Sequence, residues 1–207
     1  MATRTKSSRT HTKVPPRADT RVAPRPGNGT RTERGPFEEV GFRTKNSLPA
    51  ETRREVCLLL NQRLADCVDL ETQCKQAHWN VKGPNFIGLH ELFDQIHAAV
   101  DDYADLIAER IVQLGGFAEG TAQIAAERST LLDYPLGIAS GNLHVAALSD
   151  ALAEFGRVVR IAIDEMDALH DLDSADVLTE ISRGLDKWLW FVEAHQQTRP
   201  SEDGAGS

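Results

Sequence analysis

The chain has no apolar run approaching the roughly 18 to 20 residues that a membrane-spanning helix needs. Its N-terminus carries positive charge without an apolar stretch behind it, so the pattern of a secretory signal is missing too. No contact with a membrane and a cytoplasmic location are therefore expected. Cysteine is scarce. Cys57, Cys67 and Cys74 are odd in number, fall within one short segment and form no CxxC pair, which excludes a disulfide framework and predicts reduced, packed thiols. Also missing is any stretch that alternates apolar and polar residues long enough to suggest a sheet.

The 207 residues carry a net charge of −8, but the two signs are not mixed evenly. Residues 1–36 hold nine basic side chains (Arg4, Lys6, Arg9, Lys13, Arg17, Arg21, Arg25, Arg31 and Arg34) against Asp19 and Glu33, a local charge of +7. The remaining chain is then −15. Pro15, Pro16, Pro24, Pro26 and Pro36 interrupt any helix here, and too few large apolar residues are present to repay the entropy of ordering. Residues 1–42 are read as a disordered basic arm, 43–198 as one domain, and 199–207 as a loose tail of small and acidic residues.

Between these tails the apolar period is helical. Val56, Leu60, Leu64, Cys67, Cys74 and His78 follow three- and four-residue steps, predicting a helix over about 49–80 that begins at Pro49. Gly83 and Pro84 end it, and Asn85 is a candidate cap for a second helix with Leu89, Phe93, Ile96, Val100, Tyr103, Ile107 and Leu114 on its stripe. Gly115 and Gly116 close that helix, and a short one is expected near 122–127. Two more long helices, about 142–170 and 175–196, follow. Four amphipathic helices with a long connection between the second and third predict an all-α, ferritin-like four-helix bundle whose crossover carries a short helix.

The second helix has a further stripe. His90, Asp94, His97, Asp101, Asp105 and Glu109 run one residue on from the buried seam. A solvated face would account for such charges in general. Here His90 with Asp94, and Asp105 with Glu109, are each four apart and project together, while His78 ends the preceding helix on its apolar side. Imidazoles with carboxylates suit iron, and sparse protein ligation leaves coordination positions open. From His90 to Asp105 is 15 residues, roughly 22 Å along a helix at 1.5 Å per residue, so the two ends cannot hold one ion from the same helix. The stripe is symmetric about a point next to Val100, and an antiparallel copy crossing there would set His90 and Asp94 against Glu109 and Asp105 of its mate. An isologous two-fold contact yields two equivalent sites of this kind.

The motifs Lys75-Gln-Ala-His78-Trp79-Asn80, Gly83, Asn85-Phe86-Ile87, His90-Glu91, Asp94, Asp105 and Ala108-Glu109-Arg110 resemble the signature of the Dps family, DNA-binding proteins from starved cells. Agreement continues through Val112 to Gly116, Tyr134-Pro135-Leu136, Ala175-Asp176 and Leu189-Trp190-Phe191, so the resemblance covers about residues 42–196. It implies a hollow homo-dodecamer that oxidises ferrous iron with hydrogen peroxide in preference to oxygen and stores the ferric product inside. It also implies that His78 and His90 of one subunit and Asp105 and Glu109 of its two-fold mate are iron ligands, with Asp94 a ligand or a partner of one. Trp79 adjoins this set, where it serves either packing or the uptake of a stray oxidising equivalent. There is no Glu-x-x-His in the chain, so the intrasubunit di-iron site of ordinary ferritins is not expected.

Asp171, Asp173 and Asp176 lie at the junction of the last two helices. Helix capping by Asp173 or Ser174 is one explanation; the resemblance suggests acidic three-fold pores that focus cations for entry. The +7 arm suggests nonspecific DNA binding by counterion release, repeated over many subunits, and association with the nucleoid. A basic tail can instead aid solubility or bind its own acidic shell. Two functions are thus expected to compete: an iron-oxidising, mineralising enzyme with an accessory DNA role, and a structural nucleoid-compacting protein whose metal site is idle.

Overall fold

The computed structural model describes residues 41–197. The arm's nine basic residues and the tail 199–207 lie outside the described residues. Five helices follow in order: α1 Ala50–Asn80, α2 Phe86–Gln113, α3 Ala122–Arg128, α4 Gly141–Ala168 and α5 Leu172–Glu193. α1 packs along α2 and α4 along α5, and contacts of α1 with α4 and of α2 with α5 close a four-helix bundle. The short α3 sits in the 27-residue connection between α2 and α4 and leans on α1. Among the described residues there is no strand, only one isolated bridge between Lys82 and Ser140. No described helix is long and apolar enough to cross a membrane.

One continuous core fills the bundle. Leu60, Leu64 and Leu70 of α1 meet Phe93, Ile96 and Ile107 of α2, with Leu148, Phe155 and Met166 of α4 and Leu178 and Ile181 of α5 completing it. These are the three- and four-step positions of each helix, as the apolar period requires. Cys57, Cys67 and Cys74 are free and buried in the same core, and burial pushes all three thiols up, which keeps them protonated. At Gly184 in α5 an added Cβ would stand 1.9 Å from the Tyr103 hydroxyl, so glycine lets α2 and α5 approach there.

The crossover is held by polar side chains on α1. Asn61 donates to Phe117 O (3.0 Å) and accepts from the Glu119 N–H (2.9 Å), and Gln62 donates to Arg128 O at 2.8 Å. Asp66 accepts from both the N–H and the hydroxyl of Thr130 (2.7 and 3.1 Å). Asp69 accepts from the Ser129 hydroxyl at 2.5 Å, and Gln73 donates to Leu132 O at 3.1 Å. These positions recur at helical spacing, so one face of α1 is polar and still covered, which the simple apolar period does not anticipate. Asp66 is fully buried and is paired with Arg63 at 3.0 Å.

Helix ends differ from the sequence expectation in three places. Pro49 is the residue before α1 rather than within it, and Asn85 precedes α2 without its side chain closing a cap hydrogen bond. The last helix starts at Leu172, three residues earlier than expected, because Asp171 caps it by accepting from the Ser174 N–H. At the other boundary, the Phe42 N–H donates to Gly115 O and its ring packs on Phe117 with centroids 5.0 Å apart. The bundle's contacts thus begin just before the expected start at residue 43.

Candidate metal-binding site

The tight link between α1 and α2 brings the two histidines together. α1 ends at Asn80, Gly83 takes φ 119°, a conformation that favours glycine, and α2 sets off antiparallel from Phe86. His78 on the last turn of α1 therefore faces His90 on the second turn of α2. The rings stack, with centroids 3.7 Å apart and planes 21° from parallel. Their hydrogen bonds are reciprocal: His78 Nδ1 lies 2.8 Å from His90 O, and His90 Nδ1 lies 2.8 Å from His78 O. A carbonyl can only accept, so each Nδ1 carries the proton when the ring is neutral. Each Nε2 is then the free, basic nitrogen, the tautomer that a metal takes.

Asp94, one turn beyond His90, is half exposed, with Oδ1 3.8 Å from His78 Nδ1. It is paired with Lys75, whose ammonium hydrogen bond holds the carboxyl below the usual carboxylate range, helped by the nearby His78. Trp79 is largely exposed beside His78 in the chain. The structure thus gathers His78, His90 and Asp94 at one end of the α1/α2 pair.

Asp105 and Glu109 are not part of that group. α2 is one unbroken helix from Phe86 to Gln113, so the 15-residue separation from His90 to Asp105 stands as a real distance. Both acids are exposed, and neither makes a hydrogen bond or ion pair among the described residues. Asp105 borders an open cleft with Glu71, Asp101, Asp102, Ala118 and Gly120; Glu109 borders an adjoining apolar one with Val112 and Ala118. No three His, Cys, Asp or Glu side chains of a single chain, among the described residues, converge as a metal-binding group.

A match to the Ferritin-like domain family spans residues 57–200. A "DNA protection during starvation protein" of Agrobacterium fabrum is 45% identical over 157 residues, 76% of this chain and 97% of its own. The solved structure of Mycobacterium smegmatis Dps in its tetragonal form aligns with TM-score 0.72 at 36% identity, covering 76% of this chain and 96% of that one. The chain belongs to the Dps family. DpsA14 from Streptomyces coelicolor, another Dps structure, aligns at TM-score 0.73 and 33% identity over 77% of this chain and 95% of its own.

For a Dps chain, the ligand stripe has two partners on α1 that its spacing does not reveal, Lys75 and Glu71. Lys75, one turn before His78, is the partner of Asp94. His97 faces Glu71 with Nδ1 3.7 Å from Oε1, and that Nδ1 is buried without a hydrogen bond. Burial pushes the Glu71 carboxyl up, opposed by His97 and reinforced by Asp101.

The junction acids divide. Asp171 is buried: Arg110 Nη2 lies 2.8 Å from its Oδ1, and the Ser174 hydroxyl donates to its Oδ2 at 2.5 Å. It is a structural strut between α2 and α5 and is not available to line a route, which corrects its grouping with the other two. It is also the capping residue, in place of Asp173 or Ser174. Asp173 and Asp176 are exposed.

Proposed function

We propose that this Dps chain is a ferroxidase that oxidises Fe(II) with hydrogen peroxide, oxygen being less efficient, and stores ferric mineral inside a homo-dodecamer, protecting DNA. The observation that carries the reading is the reciprocal pairing of His78 and His90, which commits both Nδ1 atoms to carbonyls and leaves both Nε2 atoms free for ferrous iron, the substrate. Asp94 joins them by exchanging Lys75 for the metal. The exposed, unpaired Asp105 and Glu109 await an antiparallel copy, whose own histidine end they complete; the symmetry of the stripe makes one contact supply two sites. Hard, anionic carboxylates favour Fe(III) over Fe(II) and so ease loss of the electron. Two ferrous ions give one electron each to peroxide, which with two protons becomes two waters.

Asp173 and Asp176 supply the cation-focusing charge of an entry route, and the arm from Arg4 to Arg34 binds DNA through phosphates in the nucleoid. The name of the Agrobacterium fabrum relative, a DNA protection protein, supports the protective role.

The shared site is tested by complementation. One variant lacks His78 and His90, another lacks Asp105 and Glu109, all replaced by Ala; each alone should assemble and oxidise iron slowly. After unfolding, equal mixing and refolding, random pairing makes about half the dimers mixed, each with one complete site, restoring about a quarter of the sites. Mixed shells as inactive as their parents would refute the inter-subunit site.

A further inference from the structure

Near the histidine end, a half-buried phenol and a buried imidazole have the chemistry of a redox pair. Tyr134 lies in the connection ahead of α4, and its hydroxyl is 2.6 Å from Nδ1 of His144 in the first turn of α4. His144 is fully buried, and its Nε2 is buried without a hydrogen-bond partner. Burial pushes the His144 imidazolium down, opposed by the carbonyls of Ile138 and Asn80, and burial pushes the Tyr134 phenol up. Both groups are therefore neutral near pH 7, and in the tautomer with the imidazole proton on Nε2 the phenol O–H donates to Nδ1.

Any hydrogen bond would tether the loop; this one also sets a base against a phenol. Removing an electron from a phenol makes its proton strongly acidic, so oxidation becomes accessible where a base already accepts that proton. The chain has only two tyrosines. Tyr103 is the contrast: its hydroxyl is hydrogen-bonded by Trp188, whose indole N–H donates and cannot accept a proton. The pair is also close to the metal-binding end. Tyr134 lies close to Cys74, one turn from His78. The His144 ring is 6.4 Å from that of Phe93, which is one turn from His90.

We propose that Tyr134 and His144 form a proton-coupled radical trap for the oxidising equivalent left when a single ferrous ion reduces peroxide, a role that rests on the ferroxidase reading. The lone ion gives one electron, the peroxide O–O bond breaks, and a one-electron oxidant of hydroxyl-radical class remains. Tyr134 supplies the second electron, its O–H bond breaks, and the proton passes to His144 Nδ1. The products are a neutral phenoxyl, an imidazolium, Fe(III) and, with two protons from solvent, two waters. A later ferrous ion returns the electron, the proton moves back, and the pair is reset.

The test uses the full-length assembled protein, loaded with less than one ferrous ion per subunit, mixed with hydrogen peroxide and freeze-quenched for electron paramagnetic resonance. A tyrosyl signal is expected in the wild type and in Tyr103→Phe and should be lost in Tyr134→Phe. Ring-deuterated tyrosine in Tyr103→Phe assigns the signal with Tyr134 untouched, and a deuteron coupling in D2O places the transferred proton at the phenoxyl oxygen's partner, a readout that mere tethering would not move. A signal that persists in Tyr134→Phe, or disappears in Tyr103→Phe, overturns the proposal. A second arm replaces iron and peroxide by flash-generated tris(bipyridine)ruthenium(III). A Tyr134 radical there, with iron that peroxide fails to oxidise, upholds the pair's redox chemistry and counts against the ferroxidase reading; no Tyr134 radical with either oxidant, or none from iron that peroxide does oxidise, overturns the trap.

Discussion

His78 and His90 do different work from the other histidines because each donates Nδ1 to the other's main chain. Backbone carbonyls remain whatever the side chains become, so replacing one histidine leaves the other ring oriented. His78→Ala and His90→Ala should therefore each keep the fold and lower peroxide-dependent iron oxidation, measured by stopped flow, by more than the ~10- to 100-fold cost of losing an outer-shell partner. Asp94 offers a titration. Its carboxyl is held low mainly by the Lys75 hydrogen bond. A carboxyl depressed in the folded state contributes stability above its unfolded value of about 3.9, and that contribution is lost as pH falls through the folded value. Lys75→Met should bring the Asp94 carboxyl up toward the ordinary value, followed by carbon-detected NMR, and remove this acid-side loss. Because Asp94 is half exposed, the stability change should be small.

At the scale of elements, α1 both lines the core and fastens the crossover, and the fastening depends on buried charge. Asp66 serves Thr130 and Arg63 at once. Asp66→Ala leaves the half-buried Arg63 without its carboxylate and the Thr130 N–H without its acceptor, and should cost about 3 kcal/mol in chemical denaturation. The Thr130 amide should then exchange with solvent far faster while mid-helix amides of α4 change little. The α2 to α5 strut behaves alike. Asp171→Asn can still cap the helix but leaves the buried Arg110 only the exposed carboxylate of Asp173 at 3.9 Å, so it should destabilise by about 3 kcal/mol. Asp173→Asn with Asp176→Asn, both exposed, should stay within about 0.5 kcal/mol per site. That contrast separates the strut from the entry route: the Asp173 and Asp176 pair of changes should slow iron loading at low ferrous concentration without affecting stability, and an unchanged loading rate would remove them from the route.

At the scale of the whole molecule, charge is divided between a +7 segment and a −15 remainder. DNA repels the second and is attracted by the first. Deleting residues 1–36 should abolish or greatly weaken DNA retardation in gels while leaving assembly and iron oxidation unchanged. For the full chain, log affinity should fall with log salt by roughly 0.9 per phosphate neutralised. Undiminished DNA binding by the truncated protein would place the interaction on the bundle surface.

The helical period by itself determined the bundle, because burial of one stripe per helix is the only way such a sequence can hide Leu60, Phe93, Phe155 and Leu178 together. The spacing of His90, Asp94, Asp105 and Glu109 likewise follows from the sequence, since rise per residue is a property of any helix. What only the tertiary structure decided are the partnerships between segments far apart in the chain. Asp171 reads in sequence as one of three similar acids; that it is a strut depends on Arg110 arriving from 61 residues away. Asp66 and Gln73 break the apolar pattern of α1 and are buried nonetheless, because the crossover brings its own backbone groups to meet them. The proton positions on His78 and His90 were equally out of reach, for they depend on which carbonyl each ring meets. Periodicity records which face of a helix is hidden, and only the packed chain decides what lies against it.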